Sequence, residues 1–297
     1  MKNKITYCLW FDPKTLGAEE AAKFYTGVFK NSKMTGITRN SIDTPSGKEG
    51  TVLTVGFNIE GQEFMGLNGG PEFKINPSIS FFVHCKTEKE VVQLWEKLSE
   101  NGTVLMPLDK YFFSKKYGWI QDKFGVSWQL ILSEDKIKQV IVPSLLFVGK
   151  VYGKVKEAMK FYTSVFKDSG IGNVSPYGAG MDPEKKDSIA YAEFQLEKQW
   201  FSAMESAREH HFYFNEGLSF IVNCDTQKEI DGYWRKLSAV PEAEACGWLK
   251  DKYGVSWQIV PANISKLLQH KDSEKSKRVM KAIMKMKKLD MTSLENA

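Results

Sequence analysis

The chain of 297 residues repeats itself. "AKFYTGVFKNS" from Ala22 returns as "MKFYTSVFKDS" from Met159, 137 residues later. "ISFFVHCKTEKEVVQLWEKLS" from Ile79 returns 139 residues later as "LSFIVNCDTQKEIDGYWRKLS". "YGWIQDKFGVSWQLI" from Tyr117 returns 129 residues later as "CGWLKDKYGVSWQIV". Self-similarity on this scale restricts the fold to two copies of one structural unit. The offset falls by ten where "NGTVLMPLDKYFFSKK" faces the shorter "AVPEAEA", which reads as a loop of changed length. The copies place one domain at 1–140, a second at 141–264 and a helical tail at 265–297.

Each copy predicts the same elements. Ala18, Ala21, Ala22, Tyr25, Val28 and Phe29 make one apolar stripe at helical spacing. Val155, Ala158, Met159, Tyr162, Val165 and Phe166 repeat it. A second helix starts at Thr87 with Glu90 three residues on, and at Thr226 with Glu229, both capping-box spacings. Its stripe is Val91, Leu94, Trp95 and Leu98, matched by Ile230, Tyr233, Trp234 and Leu237. Between the helices the period drops to two. "TVLTVGFNIEGQEFMGLN" predicts a hairpin turning at Glu60-Gly61, and "YGWIQDKFGVSWQLIL" one turning at Asp122–Gly125. The result is an α+β fold of two βαβββ modules per domain. Helices cover one face of a curved mixed or antiparallel sheet, and the other face lines a cleft. In the tail, Val279, Met280, Ile283, Met284 and Leu289 form a stripe on a Lys-rich helix. It could dock on its own domain or act as a basic surface helix.

A chain that is 42% hydrophobic lies outside the disordered class. A net charge of +5 is not a nucleic-acid signature. Cys8, Cys85, Cys224 and Cys246 form no Cys-x-x-Cys pair or disulfide framework. No apolar run reaches bilayer length, and the N-terminus has no signal-peptide pattern. These features predict a cytoplasmic protein without membrane or nucleic-acid partners.

The order of motifs, "YCLWFD…AEEAAKFYTGVF…FMGLNGGPEFKINPSISFFVHC…YWRKLS…CGWLKDKYGVSWQIVP", resembles the PhnB-like branch of the vicinal-oxygen-chelate (VOC) superfamily. That superfamily holds glyoxalase I, bleomycin-resistance proteins and extradiol dioxygenases, and the branch carries the label 3-demethylubiquinone-9 3-methyltransferase. The resemblance implies tandem glyoxalase-like domains around a small-molecule site, packed as an internal pseudo-dimer with further homo-oligomers open. In metal-using members a turn Asp-Pro-x-Gly-Asn precedes a strand that supplies a glutamate ligand. Here Asp122 and Gly125, and Asp251 and Gly254, match the turn. Gln129 and Gln258 fall at the ligand position.

A neutral amide is a weak ligand for a transition metal, and the other ligand positions offer no matching histidines. No metal and no cofactor are therefore expected. His84 reads as a structural residue. Strand alternation turns Gln129 and Gln258 toward the cleft and Trp128 under a helix. Asn68 and Gly69 could meet a ligand or form a plain turn. Cys246 stands just before Trp248. Cys85 and Cys224, ahead of a helix, are either activated thiols or small buried side chains. Trp10, Trp119 and Trp248, with Phe64 and Phe81, form either an aromatic box or core. The ligand-binding candidates are Asn68, Gly69, Trp119, Gln129, Cys246, Trp248 and Gln258. No residue stands out as catalytic. No Gly-x-Gly-x-x-Gly loop supports a nucleotide-like cosubstrate. The expected function is binding of a small-molecule ligand. The alternatives are a metal-dependent lyase or oxygenase, and a regulatory module with degenerate clefts.

Overall fold

The computed structural model describes residues 3–134 and 136–297. The first repeat supplies two modules. One is β1 (Ile5–Phe11), α1 (Ala18–Val28), β2 (Ser32–Arg39), β3 (Val52–Ile59) and β4 (Gln62–Asn68). The next is β5 (Ile79–Cys85), α2 (Glu88–Ser99), β6 (Thr103–Tyr111), β7 (Ser114–Gln121) and β8 (Ser127–Leu132). The second repeat begins with β9 (Ile141–Val148), α3 (Val155–Val165), β10 (Gly170–Pro176), β11 (Ile189–Leu196) and β12 (Gln199–Ser206). It continues with β13 (Leu218–Cys224), α4 (Gln227–Leu237), β14 (Trp248–Lys250) and β15 (Ser256–Pro261). Three C-terminal helices follow: α5 (Ile264–Leu268), α6 (Ser273–Ile283) and α7 (Met291–Glu295).

Within every module the first strand pairs in parallel with the last: β1 with β4, β5 with β8, β9 with β12, β13 with β15. Modules then join antiparallel through their first strands, β1 to β13 and β5 to β9. Two mixed sheets result, β14-β15-β13-β1-β4-β3-β2 and β10-β11-β12-β9-β5-β8-β7-β6. Unit 1 comprises 1–74 and 215–297, and unit 2 comprises 75–214. Each unit therefore holds one module from each repeat. The repeat boundary at 140 falls inside unit 2, because β5 and β9 on either side of it pair with each other.

The segment "NGTVLMPLDKYFFSKK" is not a loop. It forms β6 and the start of β7, an edge hairpin of unit 2. The second repeat has a single short helical turn, Pro241–Ala243, in that place.

The stripes of the first helices pack as expected, whereas on α2 only Val91 and Leu98 are buried, with Leu94 and Trp95 half-buried, and on α4 Ile230, Tyr233 and Leu237 are buried and Trp234 half-buried. Ala18, Ala21, Ala22, Tyr25 and Val28 are buried on α1, and Val155, Ala158, Met159, Tyr162 and Val165 on α3. Rings continue the core of unit 1 from helix to sheet: Tyr25 stacks on Phe57, Phe57 on Phe64, and Tyr7 meets Phe64 and Phe220 edge-on. Phe64 and Phe81 thus belong to the helix-side cores rather than to an aromatic box. Thr87 and Thr226 accept from Glu90 N and Glu229 N at 3.2 Å each. Glu90 and Glu229 reach back to the amides of Lys86 and Asp225, one residue before the cap. The turn at Glu60-Gly61 has positive φ at both residues (48° and 82°), the two-residue conformation that suits hairpin twist.

Candidate functional site

The recurring hairpin is built around an aspartate. Asp122 Oδ1 accepts from Phe124 N (2.9 Å) and Val126 N (3.0 Å), and its Oδ2 accepts from Trp128 Nε1 (2.8 Å). Asp251 makes the same three bonds to Tyr253 N, Val255 N and Trp257 Nε1. One buried carboxylate closes the turn and pins the tryptophan under the helices. That fixes the next residue, Gln129 or Gln258, on the opposite face.

On that face the structure differs from an open polar cleft. Gln129 is 0% exposed. Its Oε1 accepts from Tyr117 Oη (2.6 Å) and its Nε2 donates to Ser80 Oγ (2.8 Å). Burial pushes the Tyr117 phenol far above its ordinary value, so it remains a donor. Gln258 is 8% exposed and donates to Ser219 Oγ (3.0 Å). Strand register lines up Ser127, Ser80, Ser144 and Ser202 across unit 2. In unit 1 the matching row is Ser256, Ser219, Cys8 and Met65. Ser144 Oγ and Ser256 Oγ are buried without a hydrogen-bond partner. Burial pushes the Cys8 thiol up to about 11.

The two cleft faces then diverge. In unit 1 the C-terminal helices lie over it. Val279, Ile283, Leu289 and Leu294 pack with Cys8, Ile221 and Val260 in one buried cluster. Cys246 N donates to Met286 O (2.7 Å) and Gly247 N to Lys287 O (2.8 Å). These bonds run from the chain just ahead of β14, whose counterpart β7 pairs with β6. Met280 is buried as predicted, but Met284 is 43% exposed because the helix ends at Ile283.

Unit 2 has a cavity of about 500 Å³ on its cleft side. Tyr111 and Phe113 line it from the β6–β7 hairpin, and Tyr191 and Trp200 from β11 and β12. Gln139 braces the last of these. It donates to Trp200 O (3.1 Å) and accepts from Trp200 N (3.0 Å). His84 lines the cavity at the end of β5, with Nδ1 2.8 Å from Ser133 Oγ. Burial holds its imidazole below the ordinary range, opposed by the charge of Glu193. Tyr191 Oη donates to Glu193 Oε1 (3.2 Å).

The model of the family described as 3-demethylubiquinone-9 3-methyltransferase matches residues 3–131 and again 139–260. The chain belongs to this PhnB-like family. A putative 3-demethylubiquinone-9 3-methyltransferase, the PhnB protein from Bacillus cereus, is 45% identical. The match covers 44% of this chain and 100% of that one, with a TM-score of 0.40. A protein from Staphylococcus aureus is 35% identical over 45% of this chain and 100% of its own, with a TM-score of 0.19. Glyoxalase I from Zea mays is 13% identical, covers 91% of this chain and 97% of that one, and has a TM-score of 0.53. This likeness to glyoxalase I is one of fold. No curated protein matches the chain.

The metal position of the wider superfamily does not fit this PhnB-like chain. The central strands present Ser80, Gln129, Ser144 and Ser202 in one unit, and Cys8, Met65, Ser219 and Gln258 in the other. None is a carboxylate or imidazole, and the one thiol, Cys8, is buried and held protonated by that burial, so neither row offers the ionised or imidazole donor set that divalent iron, zinc or nickel recruits. Among the described residues no three His, Cys, Asp or Glu side chains cluster as a metal site.

The sequence-selected residues separate into two groups. Asn68, Gly69, Cys246, Trp248 and Gln258 lie in unit 1, and Trp119 and Gln129 in unit 2. Asn68 is not presented to a ligand: its Oδ1 accepts from Ala18 N (2.8 Å) and its Nδ2 donates to Val52 O (2.9 Å). Glu205 caps α3 in the same way. Gly69 makes room for Trp10, whose ring carbon would lie 2.1 Å from an added Cβ. Trp10 and Trp248 meet edge-on at 5.9 Å. Trp119 donates to Ser127 Oγ (2.7 Å) and packs beside Tyr117 and Tyr111. Cys85 and Cys224 are wholly buried small side chains. Tyr111, Phe113, Tyr191 and Trp200 were missed. For Tyr111 and Phe113 the sequence signal is the aromatic "YFF" inside the segment that only the first repeat carries; Tyr191 and Trp200, in "IAYAEFQLEKQWF" of the second repeat, have none.

Proposed function

We propose that this PhnB-like protein binds a small molecule in the cleft of unit 2. The observation that supports this reading is the cavity of about 500 Å³ walled by Tyr111, Phe113, Tyr191 and Trp200. A concave site with aromatic walls and a few polar groups is the common form of a ligand site, and its volume lies in the usual range. In unit 1 the tail covers the corresponding face, which favours a degenerate cleft there.

The reading is metal-free binding, and it does not extend to methyl transfer. A nucleotide-like cosubstrate commonly uses a free helix N-terminus after a strand. Here α1 and α3 are capped by Asn68 and Glu205, and α2 and α4 by Thr87 and Thr226.

A thermal-shift screen of small molecules tests the function, because a binder gains about RT ln(1 + [L]/Kd) of stability. Hits should vanish in Trp200→Ala. A screen in which no hit depends on Trp200 refutes the reading. Elemental analysis of the native protein tests the metal-free part. One divalent ion per unit held at Gln129 or Gln258 would move the protein among the metalloenzymes.

A further inference from the structure

We infer that the unit 2 cavity selects a planar aromatic anion, the simplest class being an aryl carboxylate. The inference rests on reading that cavity as a ligand site. Rings line it from two separate elements, the β6–β7 hairpin and strands β11 and β12. Ring-lined walls reward a planar π-system, because offset and edge-on contacts form at 4.5–7 Å between centroids.

Charge decides the rest. Lys110, Lys115, Lys136 and Lys138 line the cavity against Glu134 and Glu193. Both carboxylates are already engaged. Lys115 pairs with Glu134 at 2.5 Å, and Lys138 with Glu193 at 3.2 Å. Lys138 Nζ also lies 4.2 Å from the centroid of Trp200, so cation and ring present themselves together. Among the described residues the side-chain ammonium groups of Lys110 and Lys136 pair with no carboxylate, the Asp109 carboxylate being taken by the Lys110 backbone amide (2.7 Å). Asp135 lies outside the described residues. The lining therefore keeps an excess of positive charge, while a cationic ligand would find both glutamates occupied. His84 adds a neutral imidazole, a hydrogen-bonding group rather than a charge.

The test is calorimetric titration of the full chain with four probes: 1-naphthoate, 1-naphthalenemethanol, 1-naphthylmethylammonium and cyclohexanecarboxylate. Naphthoate should bind about tenfold tighter than the alcohol, with the ammonium and the non-aromatic anion weaker than naphthoate. Joint Lys110→Ala and Lys136→Ala substitution at two exposed positions should remove most of that advantage, each lysine contributing a few-fold. Added salt should weaken naphthoate binding and leave the alcohol unchanged. Trp200→Ala should weaken both about tenfold or more, with circular dichroism reporting that the variant is folded. Equal affinity for naphthoate and the alcohol, or a preference that survives loss of both lysines, overturns the anion assignment and leaves the cleft reading intact. If no naphthalene probe binds although another ligand shows Trp200 dependence, the ligand class is wrong. If no ligand depends on Trp200, the cavity reading itself fails.

Discussion

Asp122 and Asp251 explain the constant centre of the fifteen-residue repeat, in which nine residues are identical. Each carboxylate satisfies two turn amides and one indole, all buried. Asp251→Asn keeps the size but places an amide N–H₂ against one of those donors. It should lower unfolding free energy by about 1–3 kcal/mol, measured by urea denaturation. The aspartate was legible as a turn residue, but its hold on the tryptophan six residues later was not. Sequence spacing does not report which side chains meet across a turn. Gln129 shows the same limit. Strand alternation placed it on the right face, and only the packing of Tyr117 over it shows that it is sealed. His84 carries a pH signature. Its folded state favours the neutral ring, so the unfolded chain binds more protons below the ordinary value of 6.5. The associated stability is present above pH 6.5 and is lost as pH falls through the lower, folded value. His84→Asn should flatten the melting temperature between pH 7 and 5 relative to the parent. A parallel decline in both proteins would refute the assignment.

Helices and the paired hairpin strands were the most legible elements. Their apolar stripes, Thr caps and the Glu60-Gly61 turn are local signals, readable within a dozen residues. Strand β6 was not, for a physical reason. It is an edge strand with Pro107 in it and three register shifts against β7. Its side chains are exposed at Val104 and Leu105, so no period-two burial pattern is imposed on them. The tip that follows carries Phe112, 92% exposed, beside the cavity-lining Phe113. The tail stripe holds at Val279, Met280, Ile283 and Leu289 and fails at Met284, while Leu294 joins the packed set unannounced. Leu289→Ala should cost about 2–4 kcal/mol as a buried truncation. Met284→Ala should change stability by less than about 0.5 kcal/mol. Chemical denaturation of the two variants distinguishes a docked tail from a loosely attached helix, which would give equal and small effects.

For the molecule as a whole, the repeat divides the chain at 140, whereas the compact units are 1–74 with 215–297, and 75–214; the module, not the repeat, is the piece common to both divisions. Which module pairs with which was hidden, because β1 carries the same alternating pattern whatever strand lies beside it. The observed pairing gives a test. A fragment of residues 75–214 contains every strand of its sheet, and should unfold cooperatively with a near-UV circular dichroism signal. A fragment of residues 1–140 holds half of each sheet and should be folded only when two copies associate. A folded monomer of 1–140 would contradict the exchange. The same connectivity sets an order of events during synthesis. The inner unit is continuous and can close once β12 leaves the ribosome. Strand β1 emerges first among the strands, yet its partner β13 follows about two hundred residues later. At 5–20 residues per second that is roughly 10–40 s of waiting with an open sheet edge. The outer unit is therefore the last to be finished and the one most exposed to mispairing on the way. The tail, translated after both sheets, covers the unit 1 face that waits for β13.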